Sequence, residues 1–186
     1  MTELGSPQLT GRLESLANEH DHLRQHLESK REEHGEYPAY TDELEDQHEI
    51  ARPNVVYPTQ GEHPVFCHVH GDVGSSTTYY VVEPTLDADE QETFKDVRQR
   101  ILEKSVNKPA PSDDEQFVDH IDELLGSVSH VGGTATGALQ QLLGTRISLS
   151  RDTYHRIRYR LQRDIVGLGP LNPVMQDPQN EDIHVI

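Results

Sequence analysis

The chain has 186 residues, of which only 33% are hydrophobic and none is tryptophan, so a core is within reach for about two thirds of its length. Its 33 acids outnumber 16 bases for a formal charge of −17, a balance that argues against nucleic acid or anionic lipid as whole-surface partners. One cysteine, Cys67, excludes an internal disulfide framework and fits a reducing compartment, and no apolar run approaches the roughly 20 residues of a membrane helix.

Residues 1–35 are polar, yet Leu13, Leu16, His20, Leu23 and Leu27 step by three, four, three and four, a short a/d seam with His20 at one position. Two heptads are marginal in isolation, which predicts a frayed helix rather than a working coiled coil. His22 and His26 stand one helical turn apart. That spacing also suits a metal, but with no third ligand beside them they read as solvated histidines on a polar face. Residues 35–61 are rich in proline, tyrosine and acid and keep no sustained period. They read as a linker or a surface-hugging segment, docked locally by Asn54-Val55-Val56-Tyr57.

Residues 65–69 (VFCHV) and 77–82 (TTYYVV), joined by turn-forming residues, predict an antiparallel hairpin. Val65, Cys67 and Val69 share one face of its first strand; Phe66, His68 and His70 share the other. His63, His68 and His70 raise the question of zinc. The thiol on the opposite face and the lack of a second ligand pair favour imidazoles on a half-exposed strand, and no metal site is assigned.

Asp87 with Glu90 predicts a capping box for a helix carrying Phe94, Val97, Ile101 and Leu102. Ser112 with Glu115 does the same for a helix with the stripe Phe117, Ile121, Leu124, Leu125 and Val128. Lys108-Pro109-Ala110-Pro111 lies between them, so the two can fold back as a helical pair. Residues 132–137 have the glycine spacing of a phosphate loop. Ala138 and Leu139 stand where the lysine and the magnesium-binding hydroxyl belong, and no apolar strand leads in, so this is a linker.

Ser150 is the expected N-cap of the last long helix, whose Tyr154, Ile157, Leu161 and Ile165 share one face. Arg156, Arg160 and Arg163 line up at i, i+4 and i+7, with Arg151 and Arg158 beside them. Two readings stand: a basic face for a nucleotide phosphate or an acidic subunit, or neutralisation of the chain's own acidic helices. The abundance of internal carboxylates favours the second. Gly167 would stop the helix in a left-handed conformation, and Gly169-Pro170 would force an extended exit. Asn172-Pro173 would start a short helix that Asp177-Pro178 ends, ahead of a strand at residues 183–186. No catalytic constellation is complete, and Glu181-Asp182 reads as a turn rather than an acid/base pair.

The run Arg163-Asp164-Ile165-Val166-Gly167-Leu168-Gly169-Pro170-Leu171, followed by Pro173-Val174-Met175, Asp177-Pro178 and Glu181-Asp182-Ile183, resembles the N-terminal domain of the type II/IV secretion ATPases, above all the archaeal members that drive type IV pili and archaella. Tyr79-Tyr80-Val81-Val82-Glu83-Pro84 is similar to the tyrosine, aliphatics, Glu-Pro run of the same proteins. Asn180 departs from the aliphatic residue usual before the Glu-Asp pair. The likeness is sharp over the last residues and looser back to about Pro64. It implies the N-terminal region of a subunit in a hexameric ring, closing over ATP and magnesium held by a RecA-like domain further along. It also implies a membrane platform protein as partner, and no cofactor and no hydrolysis in this chain alone. The alternative is a non-enzymatic regulatory or adaptor module that binds a full-length secretion ATPase or its platform.

Abundant carboxylate with only four lysines suits a protein hydrated in a halophilic cytoplasm, which with the resemblance implies a haloarchaeal source. The alternative is an ordinary acidic protein with a disordered front half. The expected place is the cytoplasm, peripheral to the membrane. The expected fold class is α+β: an acidic, partly disordered helix and linker over 1–60, a β-hairpin, helical pair and Gly-rich linker over 61–149, and the start of an incomplete two-layer α/β domain over 150–186, cut before the motor.

Overall fold

The computed structural model describes residues 5–6, 8–9, 11–42, 53–71, 76–106, 111–132 and 146–180. The fold is α+β, in two compact units. The first joins Met1–Pro84 to Pro173–Ile186, and the second is Thr85–Asn172.

The first unit is a sheet with two helices on one face. Its elements are β1 (Gly5–Ser6), α1 (Gly11–Glu19), α2 (Asp21–His34), β2 (Tyr37–Tyr40), β3 (Asn54–Pro58), β4 (Phe66–Gly71) and β5 (Thr77–Val82). The strands lie in sequence order. All neighbours are antiparallel except β2 and β3, which run parallel. The anticipated hairpin is β4–β5, and the strand faces divide as the alternation predicts: His68 sits opposite Tyr80, and Cys67 opposite Val81 and Tyr57.

The leucine seam is neither the frayed helix expected nor a coiled coil, because its apolar face packs on the sheet. The backbone opens to an extended conformation at His20 (φ −129°, ψ 101°) and the run becomes two helices. Leu13, Leu16, Ala17, Leu23 and Leu27 pack with Tyr37, Val56, Phe66 and Val82. Leu23 and Leu27 are fully buried, a burial that contributes about 1.5–3 kcal/mol for each side chain.

The second unit holds α3 (Ala88–Ser105), α4 (Asp114–Val128), β6 (Ser129–Val131), β7 (Ile147–Leu149), α5 (Arg151–Ile165) and a 3-10 turn at Gly169–Leu171. Val97 and Ile101 from α3, Ile121, Leu124, Leu125 and Val128 from α4, and Ile157 and Leu161 from α5 form one apolar core with Leu149. Leu102 and Ile165, expected on the apolar faces, are exposed. The capping box closes as predicted: Glu90 N–H donates to Asp87 Oδ1 at 2.8 Å, and Asp87 N–H donates to Glu90 Oε2 at 3.1 Å.

The cap of α4 is Asp113 rather than Ser112. Asp113 Oδ1 accepts from Gln116 N–H at 2.9 Å, while the Ser112 hydroxyl turns to the Gln116 side chain at 3.0 Å. Adjacent Ser and Asp are both good caps, and the ionised oxygen is the stronger acceptor. β6 and β7 form a short parallel ladder, which the glycine-rich stretch between them hides from sequence periodicity.

The ends of α5 correct a further expectation. Ser150 caps it through Thr153 N–H at 3.0 Å. At the other end Gly167 is not left-handed; Gly169 is, at φ 59°. Gly167 is small for another reason: a Cβ there would stand 2.4 Å from Asn172 Oδ1 and 2.8 Å from the Arg163 carbonyl oxygen. The short helix α6 (Asn172–Met175) follows.

The domain boundaries expected after residues 60 and 149 are also corrected. β2 and β3 lie inside the supposed linker and pair into the sheet that contains the hairpin, because the apolar faces of α1 and α2 need its surface to cover. The arginine-rich α5 shares a core with α3 and α4 and does not begin a separate domain. Within residues 150–186, the part before Pro173 belongs to the second unit and the rest to the first. The predicted strand at 183–186, the Glu181-Asp182 pair and the glycine-rich loop at 133–137 lie outside the described residues. Among the described residues no helix is long and apolar enough to cross a membrane.

Candidate functional site

The three arginines singled out on α5 do not form one open basic face. Arg156 directs Nε and Nη2 at Glu90 Oε1, at 3.1 and 2.6 Å, and the Thr153 hydroxyl donates to the same oxygen at 2.8 Å. Glu90 is almost wholly buried, so the carboxylate that completes the capping box of Asp87 also ties α3 to α5. Arg160 Nε and Arg163 Nε both donate to Asp164, at 2.7 and 2.9 Å, and Arg163 is 4% exposed. Arg158, beside them, grips Asp122 through two parallel bonds of 2.8 and 2.7 Å. Such a fork is the pairing that guanidinium geometry favours. Arg156 and Arg158 thus pair with carboxylates of α3 and α4, as the second reading has it, while Arg160 and Arg163 pair with Asp164 of α5 itself.

The resemblance motif makes its strongest contact in the first unit. Asp177, only 3% exposed, accepts from the Tyr57 hydroxyl at 2.8 Å and the Tyr79 hydroxyl at 2.6 Å, both on Oδ2. Its Oδ1 accepts from Gln179 N–H at 2.9 Å, which closes the Asp-Pro turn. The Asn180 amide donates to the Val174 carbonyl at 3.1 Å and to Asp177 Oδ2 at 3.3 Å. The Asn180 side chain therefore holds this turn through hydrogen bonds.

Burial, reinforced by the bonds to Asp177, pushes both phenols above their ordinary range. Cys67 lies against the Tyr79 hydroxyl on the same sheet face, and burial raises its thiol to about 12. A thiol held so high stays protonated and is a poor nucleophile. The cluster is a clasp rather than a reaction centre. Of the motif residues, Gly167 and Gly169 shape the exit from α5, Pro173 is buried, and Pro178 follows Asp177 in the exposed turn.

On the opposite face, histidines meet between helix and sheet. His26 Nε2 of α2 lies 2.8 Å from His68 Nδ1 of β4, and His68 Nε2 lies 3.0 Å from Asn54 Oδ1 of β3. His34 stacks on His70 at 3.8 Å between ring centroids, and His22 Nε2 reaches the Pro64 carbonyl oxygen at 2.8 Å. The half-exposed placement expected for His63, His68 and His70 holds for His63 and His70 and is corrected for His68, which is 0% exposed and covered by α2. His22 and His26 are partly buried against the sheet rather than solvated. Strand alternation put His68 and His70 on one face, and helical spacing put His22 and His26 on another. Neither pattern could reveal that the two faces meet. Among the described residues no group of three or more His, Cys, Asp or Glu side chains is placed to hold a metal ion.

No protein-family model matches the chain. It is 30% identical over 181 residues to the uncharacterized protein MJ0900 of Methanocaldococcus jannaschii, an alignment that covers 94% of this chain and 32% of the relative. The chain thus spans about a third of the length of the curated relative it matches.

Proposed function

We propose that the chain is the N-terminal region of a hexameric ATPase of the type II/IV secretion class, which powers assembly of a pilus, an archaellum or a secretion machine at the cytoplasmic membrane face. The observation that carries this reading is the resemblance motif after Arg163. Its residues meet separate geometric demands: Gly169 takes a left-handed turn, Gly167 admits Asn172, and Asp177 binds two strand tyrosines. That the relative extends well beyond the aligned part supports a larger subunit in which a further domain supplies the phosphate loop, ATP and magnesium.

These residues would contribute subunit contacts and closure over nucleotide, without catalysis of their own. The test is phosphate release from ATP with magnesium. The 186-residue chain should release none, whereas a longer product carrying this segment should hydrolyse ATP as a six-membered ring. Turnover by the short chain, or a longer product inert toward nucleotide, would overturn the reading. Co-purification of the short chain with a separate full-length ATPase would instead favour the adaptor role.

A further inference from the structure

The contact between α2 and β4 is built for one protonation state. Its donors and acceptors are fixed from the far end. Asn54 Nδ2 donates to the Glu36 carboxylate at 3.2 Å, so Asn54 Oδ1 faces His68 and accepts from Nε2–H at 3.0 Å. A neutral His68 with its proton on Nε2 has a bare Nδ1, the atom that His26 Nε2 approaches at 2.8 Å. His26 is therefore the donor. It can take a further proton on its own Nδ1 and still donate. Once His26 is charged, His68 cannot: a proton on its Nδ1 as well would set N–H against N–H across 2.8 Å, at a side chain that is 0% exposed.

The surroundings offer this new charge little relief. On α2 the Lys30 ammonium sits 4.2 Å from the centroid of the Tyr80 ring, and that ring lies 5.4 Å from His68 and 5.5 Å from His26. His70 of β4 and His34 of α2 stack alongside. Glu33 of α2 is engaged by Lys30 at 2.6 Å and lies 3.7 Å from His34. Glu36, in the turn to β2, holds Asn54.

We infer that the His26–His68 contact is an acid-sensitive latch: proton uptake at His68 releases α2 from the sheet of the first unit. The electrostatics agree with the geometry. Burial, then the neighbouring imidazoles and Lys30, hold His68 down to about 3. Burial and then Lys30 hold His26 down to about 4, with Glu33 opposing. Both lie below the 6.5 of a free histidine, so the unfolded or released state binds more protons through this window. The latch is fully closed above pH 6.5 and weakens as the pH falls from there toward 3 to 4.

The test uses the whole 186-residue chain. Nitrogen-15 NMR of the imidazoles at pH 7.5 should find Nε2–H tautomers at His26 and His68. Between pH 7.5 and 4.5, intrinsic rates being corrected for, amide exchange in α2 should accelerate about tenfold or more relative to α4. In His68→Gln, which removes the titrating ring, the acid midpoint of this loss should move down by about one pH unit. His26→Gln, at the less buried partner, carries the same expectation if His68→Gln fails to fold. An Nδ1–H tautomer at His68, α2 exchange that ignores pH, or a midpoint unchanged by the substitution would overturn the latch.

Discussion

The two units hold helices in place with different chemistry. In the second, α3, α4 and α5 share an apolar core, and each of two buried charges has its own guanidinium–carboxylate partner: Glu90 is held by Arg156 of α5, and Arg163 by the adjacent Asp164. In the first, α1 and α2 lie on a sheet, and the buried polar groups among the described residues are an amide and an imidazole of the strands, Asn54 and His68, and the carboxylate of Asp177 in the turn after α6. Apolar packing tolerates small shifts in partner geometry, whereas a buried polar contact fails outright when one member changes its proton count or is removed. Proton sensitivity should therefore concentrate in the first unit, and cavity sensitivity should be common to both.

The largest expected effect tests whether the units are energetically separate. Leu125→Ala in α4 and Leu27→Ala in α2 each remove a side chain that is 0% exposed, and each should cost about 2–5 kcal/mol. Hydrogen exchange followed in both units should assign each loss to the unit that carries the substitution. Equal losses in both units from either change would mean one cooperative body and would break the comparison.

Next in size is the clasp. Asp177→Ala leaves the Tyr57 and Tyr79 hydroxyls without their shared acceptor, at a cost of about 2–3 kcal/mol. Tyr57→Phe removes one bond together with its donor and should cost about 1 kcal/mol. Urea unfolding of the first unit measures both. If Asp177→Ala cost no more than Tyr57→Phe, the carboxylate would not be the centre of the clasp.

How much of this could be read in advance follows from the range of each interaction. The β4–β5 hairpin, the Asp87–Glu90 capping box and the apolar stripes of α4 and α5 depend on residues near each other in sequence, and their spacing announced them. The His26–His68 contact and the Asp177 clasp span 42 to 120 positions, and no local period encodes such a meeting. Strand alternation did place Cys67 opposite in face to His68, and both faces are where the structure puts them. What remained hidden was the cover: α2 on one side, and the Asp-Pro turn on the other. The arginines of α5 were legible as pairs for internal acids, but not as a link from Arg156 to the carboxylate that caps another helix.

The smallest expected effect decides between two adjacent residues and sharpens the account of the second unit. Asp113 accepts from Gln116 N–H with its carboxylate and also from the Gln116 side chain at 2.6 Å. The Ser112 hydroxyl reaches the Asp113 and Gln116 side chains in exposed contacts. Asp113→Ala should cost about 1 kcal/mol, the usual loss of a side-chain N-cap, and a charge at the positive end of α4 disappears with it. Ser112→Ala should change stability by less than about 0.5 kcal/mol, as surface substitutions do. Thermal unfolding of the two variants separates these outcomes. The reverse ranking would restore Ser112 as the cap and move the start of α4 back by one residue, to where the S-x-x-E spacing first suggested it.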